Sequence, residues 1–353
     1  MAQHISIYEA APLVAIIRGD IAESWHRGHL VVLDGKGQLI AQLGDQNAIT
    51  YLRSASKPQQ ALPLVTSGAA DRFGLSEAEL ALACGSHNGD AIHTETARSI
   101  LGKIGLDETA LQCGAHEPYG TQTAREMQAN GVAPTALHNN CSGKHAGMLA
   151  LTRHWNAPLE TYWQREHPAQ QEAARAIAQF AGVAVGELAV GLDGCGVPTF
   201  GVSVRAMALM YARLLTPPDD WDDTTRRATI RLREAMLTHP EMVGGATDSL
   251  DTALIRVTEG RVLAKAGAEG VFTGAAFPCE RWPHGLAIAL KIEDGDGARR
   301  ARRPATLELL RQLGVLSDTE LSALPEYRDN LIYNRRGENV GHAQAAFSLN
   351  FTA

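Results

Sequence analysis

No stretch of this 353-residue chain approaches the roughly 18 uninterrupted apolar residues that a membrane-spanning helix requires. The opening residues, Met-Ala-Gln-His-Ile-Ser-Ile-Tyr-Glu, lack the basic segment and apolar run of a secretory leader, so a cytoplasmic location without membrane contact is expected. Positive charge is short too: 32 Lys and Arg against 39 Asp and Glu leave a formal net charge of −7. Such a balance gives no general attraction for nucleic acid or an anionic membrane, and neither is expected as a partner. The one dense basic cluster, Arg299, Arg300, Arg302 and Arg303, precedes a predicted helix over 305–313 and is read as a solvated helix face, with an anion or partner contact as the alternative. The five cysteines, Cys84, Cys113, Cys141, Cys195 and Cys279, are odd in number and widely spaced with no CxxC pair. That argues against a disulfide framework and for reduced thiols. Internal repeats and low-complexity linkers are missing as well.

What is there is an ordinary soluble composition, 45% hydrophobic and 20% charged, in a chain long enough for one large domain or two lobes. Residues 12–18 read as a strand, and the apolar runs 30–34 and 38–44 flank a Gly-Lys-Gly turn as a hairpin would. From Ser54 the pattern turns helical, with Pro58 tolerable in a first turn and Pro63 marking a kink. Helices are predicted over 76–84, 91–104, 144–155, 169–180, 202–215 and 225–237, and strands return at 261–266, 270–275 and 286–292, with 331–333 and 342–348 closing the sheet. Strands at both ends with helices between suit a sheet lobe from about 1–53 and 255–353 beside a helical lobe of about 54–254 in a single catalytic domain.

Several segments are rich in reactive side chains. Ser54 and Lys57 form an SxxK whose spacing places both on one helical face, so a lysine amine that burial has made neutral could take the serine proton. Lys265-Ala266-Gly267-Ala268 follows 208 residues after Lys57 on a predicted strand, where penicillin-recognising enzymes carry a Lys-Thr/Ser-Gly whose backbone amide completes an oxyanion hole. An exposed turn lysine is the alternative. Cys84-Gly-Ser-His-Asn-Gly89 sets Ser86, His87 and Asn88 in a loop of small residues that a substrate could approach, or that simply caps a helix. Residues 138–148, His-Asn-Asn-Cys-Ser-Gly-Lys-His-Ala-Gly-Met, and 191–198, Gly-Leu-Asp-Gly-Cys-Gly-Val-Pro, each bring a cysteine. Two thiolates with His145 or His138 would suit zinc, and two buried free cysteines explain the same residues.

Together the segments 53–57 with Pro58 and Gln60, 84–89, 141–149, 191–198 and 265–271 resemble the class 3, rhizobial-type L-asparaginases, the asparaginase II family. The run Cys-Ser-Gly-Lys-His-Ala-Gly-Met-Leu at 141–149 is the most specific of them. The resemblance implies a mixed α/β fold of the α+β kind, similar to serine β-lactamases and penicillin-binding proteins: an antiparallel sheet flanked by helices, with a helical lobe. It implies a homodimer acting on L-asparagine through two Ser–Lys tandems, matched here by Ser54 with Lys57 and Ser86 with Lys265. It also implies one zinc ion per subunit, held by Cys141, Cys195 and, in place of a histidine, Lys144, with His145 left as a supporting residue. Asp193 matches a position near the substrate, and Arg53, His87, Asn88 and Ala268 complete the expected substrate contacts. Gly85 stands where alanine is common in that family. The alternatives are a glutaminase, since one methylene is worth only about 1–3 kcal/mol in a pocket, a penicillin-recognising peptidase, or a non-catalytic amino-acid sensor on the same scaffold.

Overall fold

A computed structural model describes residues 7–297 and 299–352. In chain order its strands are β1 (Ala11–Arg18), β2 (Ile21–Asp34), β3 (Leu39–Leu43), β4 (Ile49–Tyr51), β5 (Ala189–Leu192) and β6 (Pro198–Ser203). They continue with β7 (Val262–Gly267), β8 (Val271–Ala276), β9 (Leu286–Ile292), β10 (Leu331–Tyr333) and β11 (Asn339–Ala345). The residues group into two compact units, one made of Met1–Thr50, Val202–Ala212 and Ala266–Ala353, the other of Tyr51–Gly201 and Arg213–Lys265. The second unit thus runs to Lys265 rather than to about 254, and most of the helix Val204–Leu215 goes with the first.

The first unit is built on an antiparallel sheet of order β10-β11-β1-β2-β9-β8, with β3 added to β2. Strand β2 serves both sides: residues 21–28 pair with β1 and residues 28–34 with β9. Gly28 is where it changes partner, and a Cβ there would lie 2.1 Å from the Lys291 carbonyl oxygen. The apolar run Leu30–Leu33 is wholly buried, which fixes its register against β9. The hairpin to β3 turns on Asp34, whose carboxylate accepts from the backbone N–H groups of Lys36 and Gln38. Helix Arg302–Gln312 lies against β1, β8, β9 and β11 through Ala305, Leu309 and Leu310. Its arginines are not simply solvated: Arg302 donates to the Gly267 carbonyl at 2.7 Å and Arg303 sits over the Tyr327 ring.

The second unit is helical, and its centre is helix Ser142–His154, buried from Ser142 to Thr152. Helices Glu77–Ala83, Ala91–Lys103 and Pro168–Ala181 pack around it. The close fit has a cause in sequence: a Cβ on Gly143 would stand 2.5 Å from Leu82 Cγ, so only glycine lets the neighbouring helix approach. The segment after Ser54 is not one kinked helix but a 3-10 turn, Arg53–Ser56, and two short helices, Lys57–Gln60 and Leu62–Thr66. Pro58 and Pro63 each sit in a first turn, where a missing N–H costs nothing, and each therefore restarts the helix. Among the described residues no helix is long and apolar enough to cross a membrane.

Candidate active site

Apart from Ala268, every residue described next belongs to the second unit. Arg53 takes φ +50°, a left-handed conformation uncommon for a residue with a Cβ, and so turns the chain abruptly into Ser54. Ser54 Oγ lies 3.1 Å from Ser86 Oγ, with either hydroxyl able to donate, and Asn140 Nδ2 donates to Ser86 Oγ at 2.9 Å. Ser86 is presented by the loop that follows helix Glu77–Ala83. Its backbone is held by Ser86 N donating to Val243 O, and Gly85 packs so tightly that an alanine Cβ would come 2.2 Å from the Met242 carbonyl oxygen. An alanine here would require the Met242 carbonyl to shift.

Three of the chain's six lysines are buried in this unit: Lys57, Lys144 and Lys265. Lys57 donates to the carbonyls of Gly85, at 2.6 Å, and Asn140, at 3.3 Å. Burial, helped by the nearby Lys144 and Lys265, holds its amine below the ordinary lysine range. Lys265 is placed differently, in an ion pair with Asp251 Oδ2 at 3.2 Å. The Cys84 thiol, fully buried and sensing both Lys57 and Lys265, is pushed by burial up to about 12 and stays protonated.

A second cluster forms at the start of helix Ser142–His154. Lys144 Nζ donates to Cys195 Sγ at 3.0 Å, and the Cys141 thiol is hydrogen-bonded to the same sulfur. That thiol hydrogen bond, with Lys144 beside it, brings Cys195 down to about 5, whereas Cys141 is raised to about 12 by the same bond and by burial. Burial opposes the charge on Lys144, yet Cys141, Cys195 and Asp193 outweigh it and raise its pKa. Without metal the cluster is a thiolate receiving a thiol and an ammonium. Two sulfurs and one amine nitrogen converging in this way are a donor set that suits zinc. Among the described residues no three His, Cys, Asp or Glu side chains converge as a metal site would need. His145 is not part of the cluster's bonding: its Nδ1 meets Tyr162 Oη at 2.6 Å, and burial lowers its pKa to about 3.

The remaining expected contacts fall in different places. Arg53 Nη2 pairs with Asp193 Oδ1 at 2.9 Å, which sets one cation and one anion beside Ser54. His87 is fully buried; Gly89 N donates to its Nδ1, so Nε2 carries the proton towards Ser142 Oγ at 2.9 Å. Asn88 donates to the Thr247 carbonyl at 2.8 Å. Both side chains are turned into the protein and tie the loop down, leaving Ser86 to face Ser54. Ala268 lies in the turn after β7 and belongs to the first unit.

A family match extends over residues 14–345, which take in all of these groups. The chain belongs to the L-asparaginase II family. No curated protein sequence matches it. Among solved structures it is similar to Mglu in its native form, with 17% identity, 81% of this chain and 60% of that chain covered, and a TM-score of 0.45. It is also similar to a probable glutaminase from Bacillus subtilis complexed with 6-diazo-5-oxo-L-norleucine, with 13% identity over 81% and 84% of the two chains and a TM-score of 0.40. The chain spans about three fifths of the length of Mglu. Two polar residues of this asparaginase II family member escaped the sequence reading. Asn140 lies inside the dense run 138–148 and could have been picked out there, whereas Asp251 is a lone acid in the first turn of helix Leu250–Val257 with no motif around it.

Proposed function

We propose that the protein is an L-asparaginase that hydrolyses the side-chain amide of L-asparagine to L-aspartate and ammonia through a lysine-activated serine. The observation that carries this reading is the contact of Ser54 Oγ with Ser86 Oγ at 3.1 Å, in a unit that also buries Lys57 and Lys265. Serine is a weak nucleophile until a base takes its proton, and a lysine can do so only when neutral. Burial of Lys57 favours that state. Its amine rests on two backbone carbonyls, and catalytic hydrogen bonds often form fully only when substrate is bound. Ser54 Oγ then attacks the amide carbon while its proton passes to Lys57. The Ser54 amide N–H, at the opening of the 3-10 turn, steadies the oxyanion. The C–N bond breaks as Ser86, resupplied by Lys265, gives a proton to the departing ammonia, and water hydrolyses the β-aspartyl ester. The Arg53–Asp193 pair supports an amino-acid substrate, because the α-carboxylate and α-ammonium of asparagine are the complementary charges.

Zinc held by Cys141, Cys195 and a deprotonated Lys144 belongs to the same proposal, and when bound it would supply a fixed positive charge that positions substrate. The serine makes a metal-derived nucleophile redundant. A homodimer in the cytoplasm completes the reading, and light scattering on the purified protein tests the assembly.

Ammonia release from asparagine, with glutamine and a β-lactam ester reporter in parallel, tests the reaction. Ser54→Ala should lower kcat by at least about a thousandfold, the scale on which removing a triad serine acts. Near-normal turnover in Ser54→Ala with loss in Ser86→Ala would transfer the nucleophile to Ser86. Thermal stabilisation by asparagine with no turnover in the wild type would favour a sensor.

A further inference from the structure

The two lysines assigned to the proposed Ser–Lys pairs sit in different environments. Lys57 donates to two neutral carbonyls, while Lys265, 1% exposed, faces the carboxylate of Asp251, 5% exposed, at 3.2 Å. A carboxylate that is buried to this degree is retained in a fold only when a cation or several donors compensate it. Asp251 comes from the first turn of helix Leu250–Val257, and Ser249 caps that helix by accepting from Thr252 N. The backbone position of the carboxylate is therefore fixed independently of the lysine. The groups described around Lys265 include the Asp251 carboxylate, and the amine of Lys57 and the thiol of Cys84 lie near enough to couple to its charge. The thiol is neutral and a charged Lys57 would repel, so Asp251 is the group among them that favours an ammonium.

Resting on the serine amidohydrolase reading above, we propose that Asp251 is a positioning residue that holds Lys265 as a buried ammonium, which commits this lysine to giving a proton and leaves the base role to Lys57. The division of labour thus follows from the carboxylate that touches one lysine and not the other. A proton given by Lys265 to Ser86, as Ser86 gives its own to the leaving nitrogen, leaves a neutral amine beside Asp251. The pair is restored when the water that cleaves the ester surrenders its proton, so one turnover returns every group to its starting charge.

The test uses the whole chain labelled with 13C at lysine Cε, where only six signals arise and Lys265→Met identifies one of them. In the wild type that signal should carry the ammonium shift at pH 7.5, and Asp251→Asn should move it towards the neutral-amine shift across the alkaline range, because a neighbouring opposite charge has been lost. Asparaginase kcat/KM of Asp251→Asn should fall tenfold or more with its alkaline limb moved to lower pH, mostly through kcat, and Asp251→Glu should restore both. A wild-type Lys265 signal already neutral at pH 7.5, an unshifted titration in Asp251→Asn, or a loss of rate that is uniform across pH and shared by Asp251→Glu would each overturn the proposal. The NMR titration needs no turnover. A wild type that releases no ammonia while Lys265 titrates as described sinks the assigned reaction and leaves the ion pair standing.

Discussion

Ser86 Oγ receives the amide of Asn140, so its own proton is available to Ser54 or, in turn, to a leaving group. One hydroxyl thus sits between a fixed donor and the second serine, which is the arrangement a relay needs. The neighbouring thiol cluster poses a sharper question of protons. At rest Cys195 is the thiolate, and the Cys141 S–H and the Lys144 ammonium both point to it. A cation that takes all three ligands must therefore displace two protons, one from a thiol raised to about 12 and one from an amine that its anionic neighbours also raise. Zinc affinity should climb by close to two powers of ten per pH unit between pH 6.5 and 7.5, since each released proton contributes about tenfold. Lys144→Met should reduce the slope to about one proton. Competition titration with a chromogenic chelator reads both, and identical slopes in the two proteins would remove the lysine from the ligand set.

At the scale of elements, helix Ser142–His154 starts directly after Cys141, carries Lys144 and owes its position to two glycines. Gly143 allows Leu82 to approach, and Gly147 is packed less tightly, its Cβ position lying 3.2 Å from Ala83 and 3.3 Å from Leu64. Gly143→Ala should destabilise by about 1–3 kcal/mol through overpacking. Gly102→Ala, in helix Ala91–Lys103 with open space at its Cβ position, should instead stabilise by about 0.5–1 kcal/mol. Urea unfolding of the two variants should shift the midpoint in opposite directions, and equal shifts would show that helix propensity, not packing, decides. These elements also show what the sequence could and could not tell. Strand β9 was legible at its observed bounds because Leu286–Leu290 is an unbroken apolar run, only Lys291 interrupts it before Ile292, and turn residues flank it. The first half of β2 was not, because Glu23, Ser24, His26 and Arg27 show no apolar alternation, and it is held by pairing with β1 rather than by a buried face. Val202 and Ser203 read as the start of a helix, yet they end β6, and only the pairing of that strand decides it. At the site, Ser54 and Ser86 stood out as motif members. Asp251 did not, since an acid in a first turn is equally well explained by the helix dipole.

For the molecule as a whole, histidines decide the response to acid. His29, His87, His93 and His167 each use Nδ1 to accept a backbone N–H, from Asp45, Gly89, Asp90 and Ala169 in turn. A proton on that nitrogen would face another proton, and burial adds the cost of charge. In all four, burial is the largest cause of a pKa below the usual 6.5. Below about pH 6.5 the unfolded chain therefore binds protons that the folded chain refuses, so νU exceeds νN and stability must fall as the pH falls. Each such histidine contributes up to about 1.4 kcal/mol per pH unit over the interval between its unfolded and folded pKa values. Glu79 works in the same direction at lower pH: burial pushes its carboxyl up, but Lys103, Ser76 N and Ser99 donate to it and the net shift is downward. Its contribution is present above about 4.3, the unfolded value, and is lost as the pH drops through the folded one. Stability from urea unfolding should then decline continuously from pH 7 to pH 5, before ordinary carboxylates titrate. His167→Asn keeps a side-chain acceptor at the start of helix Pro168–Ala181 without a titrating ring, so it should lower the slope by up to one proton while leaving stability at pH 7.5 within about 1 kcal/mol. A wild-type curve that stays flat between pH 7 and 5 would mean that these rings gain water or partners on protonation, and that their backbone bonds do not hold them neutral.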